Sequence, residues 1–121
     1  MRLEKSLLKP APNGGAVQRR RALSPSVFYT TLSYVDHALI APGGDTGTSQ
    51  TPDMSEAYYV ISGEGSVTVN GETVAIKKGD AIPVDLNQAK SFKAGAAPLE
   101  LMIIGVAKDM ATKNAFAANP A

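Results

Sequence analysis

The 121-residue chain has no cysteine, no tryptophan and one histidine, His37. Without thiols it can form neither disulfides nor thiolate metal centres, and one imidazole falls short of the three protein ligands that a catalytic zinc keeps. The redox compartment stays open, because such a chain needs neither oxidising nor reducing surroundings. No stretch approaches eighteen consecutive apolar residues, and the start from Met1 to Pro10 lacks the apolar core of a secretory signal. The expectation is a soluble cytoplasmic protein without a membrane partner. An excess of one charge is missing as well: 12 Lys and Arg against 11 Asp and Glu leave +1, so no overall field favours nucleic acid or an anionic surface. The hydrophobic share is 44%, which suits one domain that buries roughly two-thirds of its unfolded surface.

Turn formers are plentiful, with eleven Gly and eight Pro that divide the chain into short segments, and helical periodicity is hard to find before residue 105. The pattern predicts an all-β fold. Ser66 to Val69 and Glu72 to Ile76 are β-branched runs joined by Asn70-Gly71, the pair suited to a type I′ hairpin turn. Further strands are expected over Tyr34 to Ile40, Glu56 to Ser62, Ala81 to Val84, Lys90 to Phe92 and Leu99 to Val106, as in a sandwich or barrel. Residues 1–21 read as an N-terminal arm or a strand lent to a partner, with Arg19-Arg20-Arg21 a solvated charge run. The body of the domain is set at 22–108, and 109–121 as a tail able to form a short helix that frays at Asn119-Pro120-Ala121. His37 reads as a surface or edge residue, and Asp36 must face the other side of the strand, so the two neighbours form no dyad.

From Pro42 to Ala94 the chain resembles the cupin superfamily. The family's first motif is Gly, five residues, His-x-His, three or four residues, Glu, six residues, Gly. Here Gly43 is followed at that spacing by Ser49-Gln50-Thr51, Glu56 and Gly63. In the second motif, alignment on Gly79-Asp80 and Ser91-Phe92 puts Lys90 where the family has its third His. The resemblance implies a double-stranded β-helix (jelly-roll) barrel, commonly paired as a homodimer, with a metal at the mouth. The four matched metal positions carry Ser49, Thr51, Glu56 and Lys90, and hydroxyls with an ammonium are poor transition-metal ligands. The expectation is therefore no metal and no cofactor.

Alternation along strands puts Ser49 with Thr51, Glu56 with Tyr58, and Lys90 with Phe92 on shared faces, while Gln50 has the opposite parity. If those faces point into the barrel, Lys90 supplies the cation that a buried Glu56 needs. The expected function is a metal-independent cupin that holds a small polar organic ligand. Glu56, Lys90 and Tyr58 are its candidate acid-base groups, and Ser49, Gln50, Thr51 and Phe92 its candidate ligand contacts. The catalytic version is proton transfer beside a carbonyl, as in an isomerase, lyase or decarboxylase. The alternative is a non-catalytic binding or regulatory module.

Overall fold

A computed structural model describes residues 6–10 and 16–118, and the expected fraying at 119–121 lies outside them. Among the described residues, nine strands make two antiparallel sheets. The larger contains β1 (Lys9–Pro10), β2 (Val17–Leu23), β3 (Leu32–Ile40), β9 (Leu99–Ala107), β4 (Met54–Ser62) and β7 (Ala81–Val84), in that spatial order. The smaller contains β6 (Glu72–Lys77), β5 (Glu64–Val69) and β8 (Lys90–Ala94). Helix α1 (Met110–Ala118) follows β9. This is the jelly-roll barrel expected, and no helix among the described residues is long and apolar enough to cross a membrane.

Local chemistry accounts for these elements. Asn70 (φ 48°) and Gly71 (φ 83°) take the positive angles of the β5–β6 turn. In β3, β4 and β9 buried residues alternate with more exposed ones, so each strand gives one face to the interior. The segment from Gly44 to Ser49 bonds along β8, through Thr46 N–H to the Phe92 carbonyl and both ways between Ser49 and Lys90. It covers an edge that would otherwise stay open and brings Thr46, Ser49 and Thr51 to the barrel mouth.

The expected boundary at residue 21 is corrected by β2. Residues 17–23 pair in register with β3 of the same chain, Arg19 opposite Ala38 and Arg21 opposite Asp36. Alternation turns Arg19 and Arg21 toward the interior, where a buried carboxylate stabilises a strand that its charges made look solvated. The tail is a helix anchored by the buried Lys113, whose ammonium donates to the carbonyls of Phe28 (2.6 Å) and Thr30.

Across the inner face of the larger sheet, strand register creates rows. One runs Tyr34, Gly105, Glu56, Val84, and the next Arg21, Asp36, Ile103, Tyr58, Ile82. The Tyr34 ring reaches Glu56 by lying across Gly105, where an added Cβ would come within 2.2 Å of the ring. Gly105→Ala should therefore destabilise the fold by about 1–3 kcal/mol through overpacking, read as a lowered urea midpoint. An unchanged midpoint would show that Tyr34 does not need this crossing.

Candidate functional site

The barrel mouth opens on a cavity of about 380 Å³. Its apolar wall includes Val17, Ala38, Ile40, Leu101, Ile103 and Phe92. Its polar wall carries Arg19, Arg21, Tyr34, Glu56, Tyr58 and Lys90, with Thr46, Ser49 and Thr51 along the rim.

Glu56 is the centre of the polar wall, with a side chain only 2% exposed. Tyr58 OH donates to its Oε1 at 2.6 Å, the Lys90 ammonium lies 3.0 Å from the same oxygen, and Tyr34 OH donates to Oε2. Lys90 comes from the opposite sheet and also reaches Thr51 Oγ1 at 3.4 Å, so this pair ties the two sheets together. Arg19 Nη2 stands 3.7 Å from Oε2, an ion pair too long for a hydrogen bond.

Asp36, one row along, is a second buried carboxylate. Arg19 Nε donates to Oδ2 at 2.7 Å and Arg21 Nε to Oδ1 at 2.6 Å. The Arg21 guanidinium lies over the Tyr34 ring (4.6 Å) and the Phe116 ring (5.2 Å), so α1 closes part of the mouth through Phe116. Charge pairing and cation–π contacts together fix the arginine planes.

Burial pushes the Glu56 carboxyl up, but hydrogen bonds from Tyr34 and Tyr58 and the charge of Lys90 outweigh it and hold Glu56 below the usual carboxylate range. Burial, reinforced by the negative charge of Glu56, pushes both phenols well above their ordinary value. Burial lowers the Arg19 pKa, but pairing with Asp36 reverses this and leaves it raised. At neutral pH the site is thus an ionised carboxylate held by neutral phenols and cations.

Of the residues expected from sequence, Glu56, Lys90, Tyr58, Ser49, Thr51 and Phe92 all line the cavity. Gln50 does not: its exposed amide donates to the Asn87 carbonyl at 3.0 Å, as its opposite parity requires. Arg19, Arg21, Tyr34, Asp36 and Phe116 were not foreseen as site residues. The alternation of residues 17, 19 and 21 opposite a predicted strand containing a carboxylate was the one signal available, and charge composition masked it. The solvated run expected at residues 19–21 is accordingly corrected. Two of its arginines serve Asp36, and the third, Arg20, donates from Nε to His37 Nδ1 at 2.9 Å on the outer face. Since Nδ1 accepts, the ring proton sits on Nε2, which donates to Glu100 at 2.6 Å.

The matched residues give a test of the metal that the resemblance implies. Among the described residues no three His, Cys, Asp or Glu side chains converge as a metal site. Glu56 is surrounded by an ammonium, a guanidinium and two phenols kept protonated, none of which offers a ready lone pair to a cation, and His37 lies on the other face. This donor set does not fit a transition metal.

A cupin domain model matches residues 36–105, more than half of the sequence. The chain belongs to the cupin family. An oxalate-binding protein of Thermotoga maritima is 28% identical over 91 residues, covering 74% of this chain and 75% of that protein. A solved structure from Thermotoga maritima, described as a predicted oxalate decarboxylase, superposes with a TM-score of 0.75 at 25% identity, over 88% of this cupin and 99% of that chain. The Cnp3 cupin domain of Schizosaccharomyces pombe gives 0.72 at 14% identity, over 95% and 74% of the two chains, a likeness of fold alone.

The opposite shifts of Glu56 and the tyrosines set a pH window for this cupin's stability. Glu56 is lowered from 4.5, so its contribution is present above that value and is lost as pH falls through the lower folded value. Tyr34 and Tyr58 are raised from 10.0, so theirs is complete below 10.0 and is lost as pH rises toward the folded values. Unfolding free energies from urea titrations should hold between these limits, then fall above pH 10 by about 1.4 kcal/mol per pH unit for each buried phenol. Tyr34→Phe should make that alkaline fall shallower, and a double-tyrosine slope persisting in the variant would contradict the assignment.

Proposed function

We propose that this chain is a metal-independent cupin that binds a small polar organic molecule in its barrel, and that Glu56 organises the site rather than removing protons. The observation that carries this is the engagement of the Glu56 carboxylate by Tyr34, Tyr58 and Lys90. A general base needs an accessible lone pair and a pKa near the working pH. Glu56 has its oxygens committed to these donors and a lowered pKa, so it suits the role of a fixed counter-charge. Lys90 and the rim hydroxyls of Thr46, Ser49 and Thr51 are then the groups that meet the ligand. The cavity volume falls in the range of small-molecule sites. The relative described as an oxalate-binding protein supports a binding role for the shared fold.

In this proposal Lys90 takes over the charge that a metal supplies in other cupins, with the metal-binding histidine positions occupied by Ser49, Thr51 and Lys90. Metal analysis of the purified protein should find well under one transition metal per chain, and EDTA should leave Tm unchanged. A stoichiometric metal whose removal lowers Tm would refute the proposal.

The binding role is tested by a thermal-shift screen of small organic acids, amides and sugars. A ligand at 100 times its Kd adds about 2.7 kcal/mol of stability, a shift of several degrees for a domain of this size. Lys90→Met should reduce that shift. Because it leaves Glu56 buried and unpaired, it should also destabilise the free protein by about 3–5 kcal/mol, and the double variant with Glu56→Gln should recover part of this. A Lys90→Met protein as stable as the parent, with equal ligand response, would remove the pair from the site.

A further inference from the structure

We infer that α1 is a hinged wall of the cavity, which turns outward about Lys108-Asp109 to let a molecule reach the barrel interior. Phe116 is the side chain that seals its edge, and Lys113 is the positioning residue that seats it. This rests on the cavity being a ligand site and assigns entry to one element.

Two elements border the mouth, and they are held in different ways. The segment carrying Thr46 and Ser49 is fixed to β8 by backbone hydrogen bonds, Thr46 N–H to the Phe92 carbonyl and Ser49 with Lys90 in both directions. The other element is α1, which lines the cavity through Phe116. Among the described residues no backbone hydrogen bond runs from Met110–Ala118 to any strand. Side chains alone therefore dock this helix. Lys113 is its one buried residue, and Phe116 is its one apolar side chain packed on the core.

Both ties are specific and slight. The Lys113 ammonium donates to the Phe28 carbonyl at 2.6 Å and to the Thr30 carbonyl, and no carboxylate among the described residues pairs with it. The cost of taking an ammonium out of water offsets much of what two carbonyls return, so Lys113 gives α1 a defined seat at a small net gain. Phe116 contributes ring contacts, 5.5 Å from the Tyr34 ring and 5.2 Å from the Arg21 guanidinium. A nine-residue helix held in this way is too short to be stable alone, and such a unit opens locally at a lower free energy than the whole fold.

The pivot is equally defined. Strand β9 is tied at its end by the Ala107 N–H to the Thr31 carbonyl, and by Lys108, whose N–H donates to the Asp53 carbonyl at 3.0 Å and whose ammonium meets the Asp53 carboxylate at 2.8 Å. Immediately beyond, Asp109 caps the helix: its Oδ1 accepts from the Thr112 N–H at 2.7 Å. That bond is local to the helix and survives undocking, so α1 moves as one body. Outward rotation withdraws Phe116 from the Tyr34 ring and widens the mouth, while Thr46 and Ser49 stay on β8.

The absence of cysteine makes the test direct, because one introduced thiol is the only one in the chain. Ala38→Cys places it on the cavity wall, and Ala94→Cys places it in the core of β8 outside the cavity lining. Reaction of each with dithiodipyridine is followed by absorbance in the ligand-free full chain. Adding Lys113→Met should speed labelling of Ala38→Cys about fivefold or more and leave that of Ala94→Cys unchanged. In the parent chain, hydrogen exchange should show α1 amides opening about a hundredfold more readily than those of β9. If Lys113 only supports the fold, its removal speeds both thiols alike, which overturns the inference. Should Lys113→Met not fold, Phe116→Ala carries the same expectation, since it removes the seal and keeps the seat. Unchanged Ala38→Cys labelling in whichever variant folds, or α1 amides that exchange together with those of β9, overturns it as well. Every measurement is made without a ligand, so these outcomes leave the binding cavity standing. A ligand screen that finds nothing removes the cavity as a binding site without altering what labelling says of α1.

Discussion

A buried carboxylate has to be satisfied from within the protein, and Glu56 imposes that requirement on much of this barrel. Leaving its charge unpaired at 2% exposure would cost several kcal/mol. The remedy draws on β3 for Tyr34, on β4 for Tyr58, on β8 for Lys90 and on a glycine in β9 that lets the Tyr34 ring pass. Each of these residues has a second task. Lys90 links the two sheets, Tyr58 stacks near Phe92, and Tyr34 carries the arginine that α1 covers.

Asp36 extends the same logic to the periphery. A second buried carboxylate in the adjacent row recruits two arginines from β2, and so gives an otherwise polar N-terminal strand a reason to stay on the sheet. Arg21 then offers its face to Phe116, while Lys113 anchors α1 through two backbone carbonyls. The terminal strand and terminal helix thus meet at the cavity. The lining of the mouth and the anchoring of these two elements are coupled, because the Arg21 guanidinium contacts both Asp36 and Phe116.

Much of this was legible in the chain. Asn70-Gly71 marked the hairpin, Ala81 to Val84 emerged as β7 with the expected limits, and strand parity put Glu56, Tyr58, Lys90 and Phe92 on inward faces. Parity also separated Asp36 from His37 and kept Gln50 out of the cavity. Arg19 and Arg21 were misread because three consecutive cations look like a solvated stretch when the carboxylate that pairs with two of them lies 15 and 17 residues away. Tyr34 was read as a strand residue only, since nothing nearby in sequence shows that its ring crosses Gly105 to meet Glu56.

The scarcity of histidine and the absence of cysteine, together with alternating apolar runs and turn signals, determined by themselves an all-β chain poorly equipped for a soft-metal site. They did so because parity and turn chemistry are local properties of the backbone. The tertiary structure decided which charges meet. Pairing β2 with β3, and facing β8 toward β4, are long-range events, and only they bring scattered Arg, Asp, Glu and Lys residues together around one cavity.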